Sequence, residues 1–166
     1  MPRIYLAGFD VFRPDARAHG ERLKALCRAH GLEGLFPLDN EAPAGLAGRA
    51  LAEWIYRQNT ALIRQADLVM ANLDPFRGAE PDSGTAFEVG YAAALGKPVW
   101  GHTRHAASLV EQVAVGTDPA DPARAVDAQG YTVEDFGLNL NLMLACSARI
   151  VVGDAAQCLR EIARSR

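Results

Sequence analysis

Residues 67–100 read DLVMANLDPFRGAEPDSGTAFEVGYAAALGKPVW, and this stretch decides the fold. Its first part, residues 67–73, is an almost continuous apolar run, which is typical of a strand buried on both faces of a parallel sheet. Residues 85–95 have helical character and end at Gly96, and Pro98-Val99-Trp100 then predicts another strand. A strand, a helix and a second strand in this order predict parallel strands joined by a crossover helix.

The same alternation continues on both sides of this unit. Further strands are predicted at residues 4–7, 35–36 and 150–152, and further helices at residues 14–30, 47–65 and 155–164. We therefore expect an α/β fold with a flavodoxin-like (doubly wound) parallel sheet of about five strands flanked by helices, in a single domain over residues 1–166. Residues 116–137, rich in Asp, Pro, Gly and Ala, are expected to form a long loop, and residues 139–144 to open a short helix.

The bulk composition excludes several classes of protein. The 166 residues carry 17 Lys and Arg against 20 Asp and Glu, with no basic run, which argues against nucleic acid as a partner. Three scattered cysteines are too few for a disulfide framework or a zinc site, and we expect buried or partly buried thiols in a reducing cytosol. No apolar stretch suits a signal sequence or a transmembrane helix. We therefore expect a cytoplasmic protein with no membrane partner, no metal and no cofactor.

Polar residues gather just beyond the predicted strands, where open parallel sheets bind their ligands. They are Gly8, Asp10, Arg13, Asp39, Asn40, Glu41, Asp74, Arg77, Glu80, Asp82, Glu88, His102 and Arg104. The edge is acidic, and neither a GxGxxG after the first strand nor a P-loop is present. It suits a ligand that offers many hydroxyl and N–H donors, such as a sugar or a nucleoside. His102 and His105 are expected to be solvated loop residues rather than metal ligands, and Trp54 and Trp100 to be core residues.

Glu88 has two interpretations. Residues 85–88, Thr-Ala-Phe-Glu, match a capping box, in which Thr85 caps the helix and Glu88 reaches back to the N-cap amide. Alternatively, Asp82 and Glu88 form a catalytic carboxylate pair. The two interpretations overlap, because the helix dipole would favour an ionised carboxylate in the first turn, and covalent sugar chemistry needs an ionised carboxylate.

Several segments together resemble one enzyme family. They are Ile4-Tyr5-Leu6-Ala7-Gly8, Pro37-Leu38-Asp39-Asn40, residues 67–73, residues 82–92 and Asn141-Leu142-Met143. In this order they resemble the nucleoside 2-deoxyribosyltransferases over nearly the whole chain, and the segment D-x-G-T-x-x-E-x-G-Y-A at residues 82–92 is the most specific part.

The resemblance implies transfer of 2-deoxyribose between nucleobases through a covalent deoxyribosyl-enzyme with retention. It implies that Glu88 is the nucleophile, that Asp82 holds the deoxyribose hydroxyls and that Tyr5 orients the nucleophile. The substrate-binding residues that we expect are Gly8, Phe9, Asp39, Asn59, Arg77, Gly84 and, from a neighbouring subunit, Asn141. The expected partners are a 2-deoxynucleoside and a free nucleobase, and the expected assembly is a homo-oligomer of dimer, tetramer or hexamer size with shared active sites.

Two positions depart from the family pattern. Asn59 stands where some members have an Asp that recognises and protonates the base, and Glu41 stands where some have a Gln. An Asn cannot supply a proton, so Asp39, Asp67 or a water is the candidate donor. Asn139 is an alternative equivalent of the residue that we assign to Asn141.

Two rival functions follow from the same residues. The first is a 2-deoxynucleoside 5-monophosphate N-glycosidase, in which water replaces the acceptor base and Ser83, Arg13 or Arg77 would bind the phosphate. The second is a non-catalytic module that binds nucleosides or nucleotides, which would have no use for an ionised carboxylate beneath the anomeric carbon.

Overall fold

Seven strands and six α-helices make up the computed structural model, which describes residues 1–166. In chain order they are β1 (Arg3–Ala7), α1 (Ala16–Ala29), β2 (Glu33–Leu35), α2 (Gly48–Gln65), β3 (Leu68–Asn72), α3 (Ser83–Ala94), β4 (Val99–Thr103), α4 (Leu109–Val113), β5 (Gly116–Asp118), β6 (Asp121–Val126), α5 (Leu142–Ser147), β7 (Arg149–Val152) and α6 (Ala155–Arg164). Two short 3-10 turns, Phe9–Phe12 and Pro37–Asp39, follow β1 and β2.

Five of the seven strands form one parallel sheet, in the order β2-β1-β3-β4-β7. The predicted doubly wound α/β fold is therefore confirmed. Because β2 lies on one side of β1 and β3 on the other, the winding direction changes between β1 and β3. The carboxyl ends of two such strands frame the crevice in which open α/β sheets bind ligands.

The sheet is covered on both faces. Helices α1 and α6 pack on one face, against side chains such as Leu6 and Met70. Helices α2, α3 and α5 pack on the other face, against side chains such as Tyr5 and Val69. Successive side chains of a strand point to opposite faces. This alternation places Tyr5 on the same side of the sheet as α3.

Residues 116–137 are not the predicted loop. They contain the antiparallel pair β5–β6 and an isolated bridge between Val126 and Thr132. Backbone hydrogen bonds and a polar side chain hold this hairpin, since Arg124 donates to Thr132 and pairs with Asp118. Because polar contacts rather than burial hold the hairpin, the segment lacks the pattern of apolar residues by which strands are predicted.

Four smaller expectations also need correction. His102 is not a solvated loop residue, because it lies within β4 and is buried. Helix α3 begins at Ser83 rather than at Thr85, and α5 begins at Leu142 with Asn141 as its N-cap. Cys27 and Cys158 are buried, but Cys146 is exposed. None of the helices combines the length and the apolar character that crossing a bilayer requires.

Candidate active site

A cavity of about 430 Å³ opens beyond the carboxyl ends of β1 and β2, on the α2–α3 face of the sheet. Gly8, Val11 and Phe12 of the segment after β1 form one wall. Helix α2 forms the second wall, and Asp82, Gly84, Thr85 and Glu88 at the start of α3 form the third. This volume lies in the range of about 300–1,000 Å³ that is usual for small-molecule sites.

Glu88 is hydrogen-bonded to the sheet beneath it. The phenolic hydroxyl of Tyr5 donates to Oε1 of Glu88 at 2.5 Å, and Tyr5 itself is fully buried. Nδ2 of Asn59, on α2, lies 3.5 Å from the same oxygen. Oε2 makes no hydrogen bond to the protein. One carboxylate oxygen is thus held in place, while the other is free to react.

The surroundings of Glu88 favour its protonated form. The pKa of Glu88 is raised from its ordinary value of 4.5 to about 7, chiefly by burial and further by the nearby charge of Asp82. The hydrogen bonds from Tyr5 and Asn59 act in the opposite direction and lower the pKa. Burial, and then the charge of Glu88, raises the pKa of Tyr5, so the phenol keeps its proton and remains the donor. At neutral pH, therefore, Glu88 is divided between its two protonation states.

These observations correct the expectation that the helix dipole keeps Glu88 ionised. Because α3 begins at Ser83, Glu88 lies beyond the first helical turn, where the dipole has lost most of its effect. Desolvation by the walls of the cavity is the larger influence on the pKa of its carboxyl group.

Asp82, not Thr85, caps α3. Its Oδ2 accepts hydrogen bonds from the backbone N–H of Thr85 at 2.9 Å and from the Thr85 hydroxyl at 3.0 Å. The predicted capping box, in which Glu88 would reach back to the N-cap, is therefore wrong. Oδ1 of Asp82 has no protein partner, so one carboxylate can cap the helix and still offer an oxygen to a ligand.

Two neighbouring residues complete this part of the cavity. Oδ1 of Asn59 is buried and has no hydrogen-bond partner, which is costly unless a ligand or a rearrangement satisfies it. Gly84 exposes its backbone beside the cap, and a Cβ there would lie 3.0 Å from Oδ2 of Asp82. The absence of a side chain at Gly84 therefore leaves room for a ligand beside the Asp82 carboxylate.

Four of the predicted binding residues do not line this cavity. The ring of Phe9 stacks on Phe76, and the Arg77 guanidinium lies 4.6 Å from the centre of the Phe76 ring. Asp39 accepts a hydrogen bond from the backbone N–H of Phe36 and pairs with Lys24. Asn141 caps α5 by accepting from the Met143 backbone N–H.

Much of the α2 wall was not predicted from the sequence. Trp54, which was expected in the core, lines the cavity together with Leu51, Ile55 and Gln58. These positions have the same helical spacing as a core-facing stripe, so periodicity alone could not tell the two apart. Trp100, in contrast, is a core residue as expected.

Polar residues from two other segments also line the cavity without having been singled out as ligand contacts. Asn40 does so directly after Asp39, and Arg17 does so from the first turn of α1 while donating to the Leu38 carbonyl. No three His, Cys, Asp or Glu side chains converge in an arrangement that would hold a metal ion.

Comparison with known proteins identifies the family. The model of the nucleoside 2-deoxyribosyltransferase family matches residues 4–143, which include every residue described above around Glu88. The chain belongs to the nucleoside 2-deoxyribosyltransferase family. The matched region ends within α5, so β7 and α6 lie outside it.

A solved structure agrees with this assignment to the nucleoside 2-deoxyribosyltransferases, and a second has the same fold. The structure of a 2-desoxiribosyltransferase from Leishmania mexicana is 34% identical, with a TM-score of 0.78, and the alignment covers 99% of this chain and 98% of that one. A 2-deoxyribosyltransferase from Bacillus psychrosaccharolyticus is 20% identical, with a TM-score of 0.60, and the alignment covers 93% of this chain and 88% of that one. The second similarity shows the fold alone.

One curated relative is longer than this protein. An uncharacterised protein of Schizosaccharomyces pombe is 38% identical over 120 residues, which are 68% of this chain and 55% of the yeast protein. The match thus spans about half of the length of that relative.

Proposed function

We propose that this protein transfers 2-deoxyribose between nucleobases through a covalent deoxyribosyl-Glu88 intermediate. Family membership supports an enzyme that acts on nucleosides. The observation that carries the finer proposal is the 2.5 Å hydrogen bond from Tyr5 to Glu88 at the wall of a nucleoside-sized cavity. A structural glutamate would have no need of a free oxygen facing such a cavity.

In the first step, Oε2 of Glu88 attacks the anomeric carbon of the donor nucleoside. The glycosidic C–N bond breaks, and its electron pair leaves with the base, which takes up a proton. Oε1 remains hydrogen-bonded to Tyr5, so the carboxylate is oriented for attack. Partial desolvation, which raises the pKa of Glu88, also leaves its ionised form weakly hydrated and reactive.

In the second step, a ring nitrogen of another base attacks the same carbon. The bond to Glu88 breaks, its electron pair returns to the carboxylate, and the incoming nitrogen loses its proton to water. Two inversions give net retention at the anomeric carbon, and the ordered release of the first base gives ping-pong kinetics. The reaction needs no metal or redox cofactor in this form.

The sugar and the base occupy different parts of the cavity in this proposal. Oδ1 of Asp82 accepts hydrogen bonds from the deoxyribose hydroxyls, and Gly84 allows the sugar to approach the helix backbone. The base lies among Phe12, Leu38 and Trp54, which supply an apolar and aromatic wall. Phe9, Asp39 and Arg77 do not line the cavity. We therefore propose that they support this wall from behind and do not contact the base.

The departing base takes its proton from water. Asp67, one of the candidate donors, accepts a hydrogen bond from the Arg3 backbone N–H. This contact lies at the amino ends of the strands, opposite to the end at which the cavity opens. Asp39, the other candidate, is occupied by Lys24 and does not line the cavity. Asn59 lines the cavity but carries no acidic proton.

We also propose that the active enzyme is a homo-oligomer in which Asn141 completes the site of a neighbouring subunit. Exposed aromatic side chains of α2 and α3, Tyr56 and Phe87, form a tilted pair beside the cavity. Met143, two residues after Asn141, is 71% exposed. Such apolar side chains are suited to burial in a subunit interface.

The deciding experiment is a base-exchange assay with purified protein. A 2-deoxynucleoside is incubated with and without a second free base, and both nucleosides and bases are quantified. Formation of the new deoxynucleoside supports the transferase. Base release that does not depend on the acceptor, and that is faster with the 5-monophosphate, would instead support the N-glycosidase, whereas binding without turnover would support a non-catalytic module.

A further inference from the structure

A series of polar contacts begins behind the cavity wall formed by Gly8, Val11 and Phe12, on the α1–α6 face of the sheet. Asp10, in the 3-10 turn Phe9–Phe12, is only 8% exposed. Its Oδ2 accepts a hydrogen bond from Nδ2 of Asn72 at 2.9 Å, and its Oδ1 lies 3.1 Å from Nε2 of His19. Asp10 is thus fixed to the end of β3 and to helix α1 at the same time.

The contacts continue toward β4. The side-chain oxygen of Asn72 accepts from the backbone N–H of Asp74 at 3.2 Å. The carboxylate of Asp74 in turn accepts from the Thr103 hydroxyl at 3.1 Å and from the Arg104 backbone at 2.7 Å. The carboxyl ends of β3 and β4 and the turn after β1 are therefore tied into one polar network.

The network lies directly behind the cavity wall. A Cβ on Gly8 would lie 2.9 Å from Cβ of Asn72 and 3.0 Å from Oδ2 of Asp10, so the backbone of Gly8 packs on the contact between these two side chains. The other side of the segment, Gly8 with Val11 and Phe12, lines the cavity. No side chain caps the 3-10 turn that carries these residues. On this face of the sheet, the anchoring of Asp10 therefore holds the wall, while the stacking of Phe9 and Phe12 on Phe76 holds it elsewhere.

We propose that Asp10 is a positioning residue that holds the wall formed by residues 8–12 against the bound nucleoside. Asp10 does not line the cavity and touches no reacting atom, so it acts through Gly8, Val11 and Phe12. Loss of its carboxylate frees the turn from β3 and α1 and leaves the Asn72 amide without its buried acceptor. The proposal rests on the proposed function, because its readout is the affinity for the nucleoside.

The test compares four variants in the base-exchange assay. For Asp10→Ala we expect the KM for the donor nucleoside to rise about ten-fold, with kcat less affected. The reason is that a displaced wall weakens the binding of the substrate and of the transition state to a similar extent. For Asp10→Asn we expect partial rescue, because the amide oxygen can still accept from Asn72, whereas its NH2 group cannot accept from His19 as the carboxylate does. For His19→Ala we expect a smaller rise of KM. The matched control is Asp154→Ala, which removes the N-cap carboxylate of α6 on the same face and should lower the melting temperature at unchanged KM.

The outcomes separate the two proposals. If the wild-type protein exchanges bases but Asp10→Ala and His19→Ala keep the wild-type KM, Asp10 has only a structural role and the inference is overturned. Should Asp10→Ala fail to fold, the more exposed His19→Ala decides the question. An absence of exchange in the wild-type protein would instead overturn the proposed function.

Discussion

Tyr5 and Glu88 lie 83 positions apart in the chain, yet the Tyr5 hydroxyl donates a 2.5 Å hydrogen bond to the Glu88 carboxylate. This contact joins the first strand of the sheet to the helix that follows the third. It also opposes the effect of burial, because desolvation raises the pKa of Glu88 whereas the bond from Tyr5 lowers it. The balance leaves the pKa at about 7, so at neutral pH the carboxylate is partly ionised without being heavily solvated.

Replacement of Tyr5 by Phe should impair the reaction in a pH-dependent way. Without the phenol, the pKa of Glu88 rises further, so less of the carboxylate is ionised at pH 7. We expect exchange at pH 7 to fall by about 10- to 100-fold and to recover partly at higher pH. A pH profile of kcat/KM measures this shift. Tyr131→Phe, which removes an exposed hydroxyl, is the control, and an unchanged profile for Tyr5→Phe would show that the bond does not tune Glu88.

Glu88→Gln should abolish exchange but stabilise the protein at alkaline pH. Folding raises the pKa of Glu88 from 4.5 to about 7, so the folded state binds this proton more tightly than the unfolded state does. The wild-type protein therefore loses stability as pH rises through this interval, by up to about 3 kcal/mol, and the neutral Gln does not. Denaturant unfolding at pH 5 and pH 8 measures the difference.

The control for Glu88→Gln is Glu111→Gln. Hydrogen bonds from the backbone and side chain of Ser108 lower the pKa of Glu111, so its charge favours the folded state as pH rises. This variant should gain no stability at pH 8. If Glu88→Gln retained most of its exchange activity, the assignment of Glu88 as nucleophile would be wrong.

Asp82→Ala should lose both stability and activity. It removes the N-cap of α3, which costs about 1 kcal/mol, and the oxygen that we assign to the deoxyribose hydroxyls. It also removes a negative charge that raises the pKa of Glu88, so the acid limb of any residual activity should move to lower pH. Asp154→Ala removes the equivalent cap of α6 and should show a similar loss of stability with normal exchange. Equal activities of the two variants would reduce Asp82 to a cap.

The sequence predicted the sheet because its strands are apolar runs and its helices are amphipathic. It could not predict the hairpin β5–β6, which backbone pairing and contacts such as Arg124 to Thr132 hold together. It also placed Trp54 in the core, since a helix face that lines a cavity has the same spacing as one that meets the sheet.

The sequence predicted that Asp82 and Glu88 share one site, and both line the cavity, but it did not predict the electrostatics there. The motif at residues 82–92 contains both carboxylates. However, the sequence predicted Thr85 as the N-cap, whereas Asp82 caps the helix, because α3 starts two residues earlier than expected. The pKa of Glu88 depends on burial by segments distant in sequence. Burial of this kind cannot be inferred from the motif itself.

The shared site that we propose can be tested by subunit complementation. Glu88→Gln and Asn141→Ala should each be inactive or strongly impaired, since each removes one half of every site. If the two are unfolded and refolded together as dimers, half of the dimers are mixed and each mixed dimer has one intact site, so about a quarter of the wild-type rate should return. Refolding each variant alone is the control. No recovery in a verified mixed dimer, or full activity of Asn141→Ala, would refute the shared site.

Asn59→Asp tests how a second carboxylate would act beside Glu88. Nδ2 of Asn59 lies 3.5 Å from Oε1 of Glu88, and its hydrogen bond lowers the pKa of Glu88. An Asp at this position replaces a donor by a like charge, so we expect the pKa of Glu88 to rise and the acid limb of kcat/KM to move above pH 7. Asn40→Asp, on the same cavity but with no bond to Glu88, is the control, and an unshifted acid limb in Asn59→Asp would show that Asn59 does not influence Glu88.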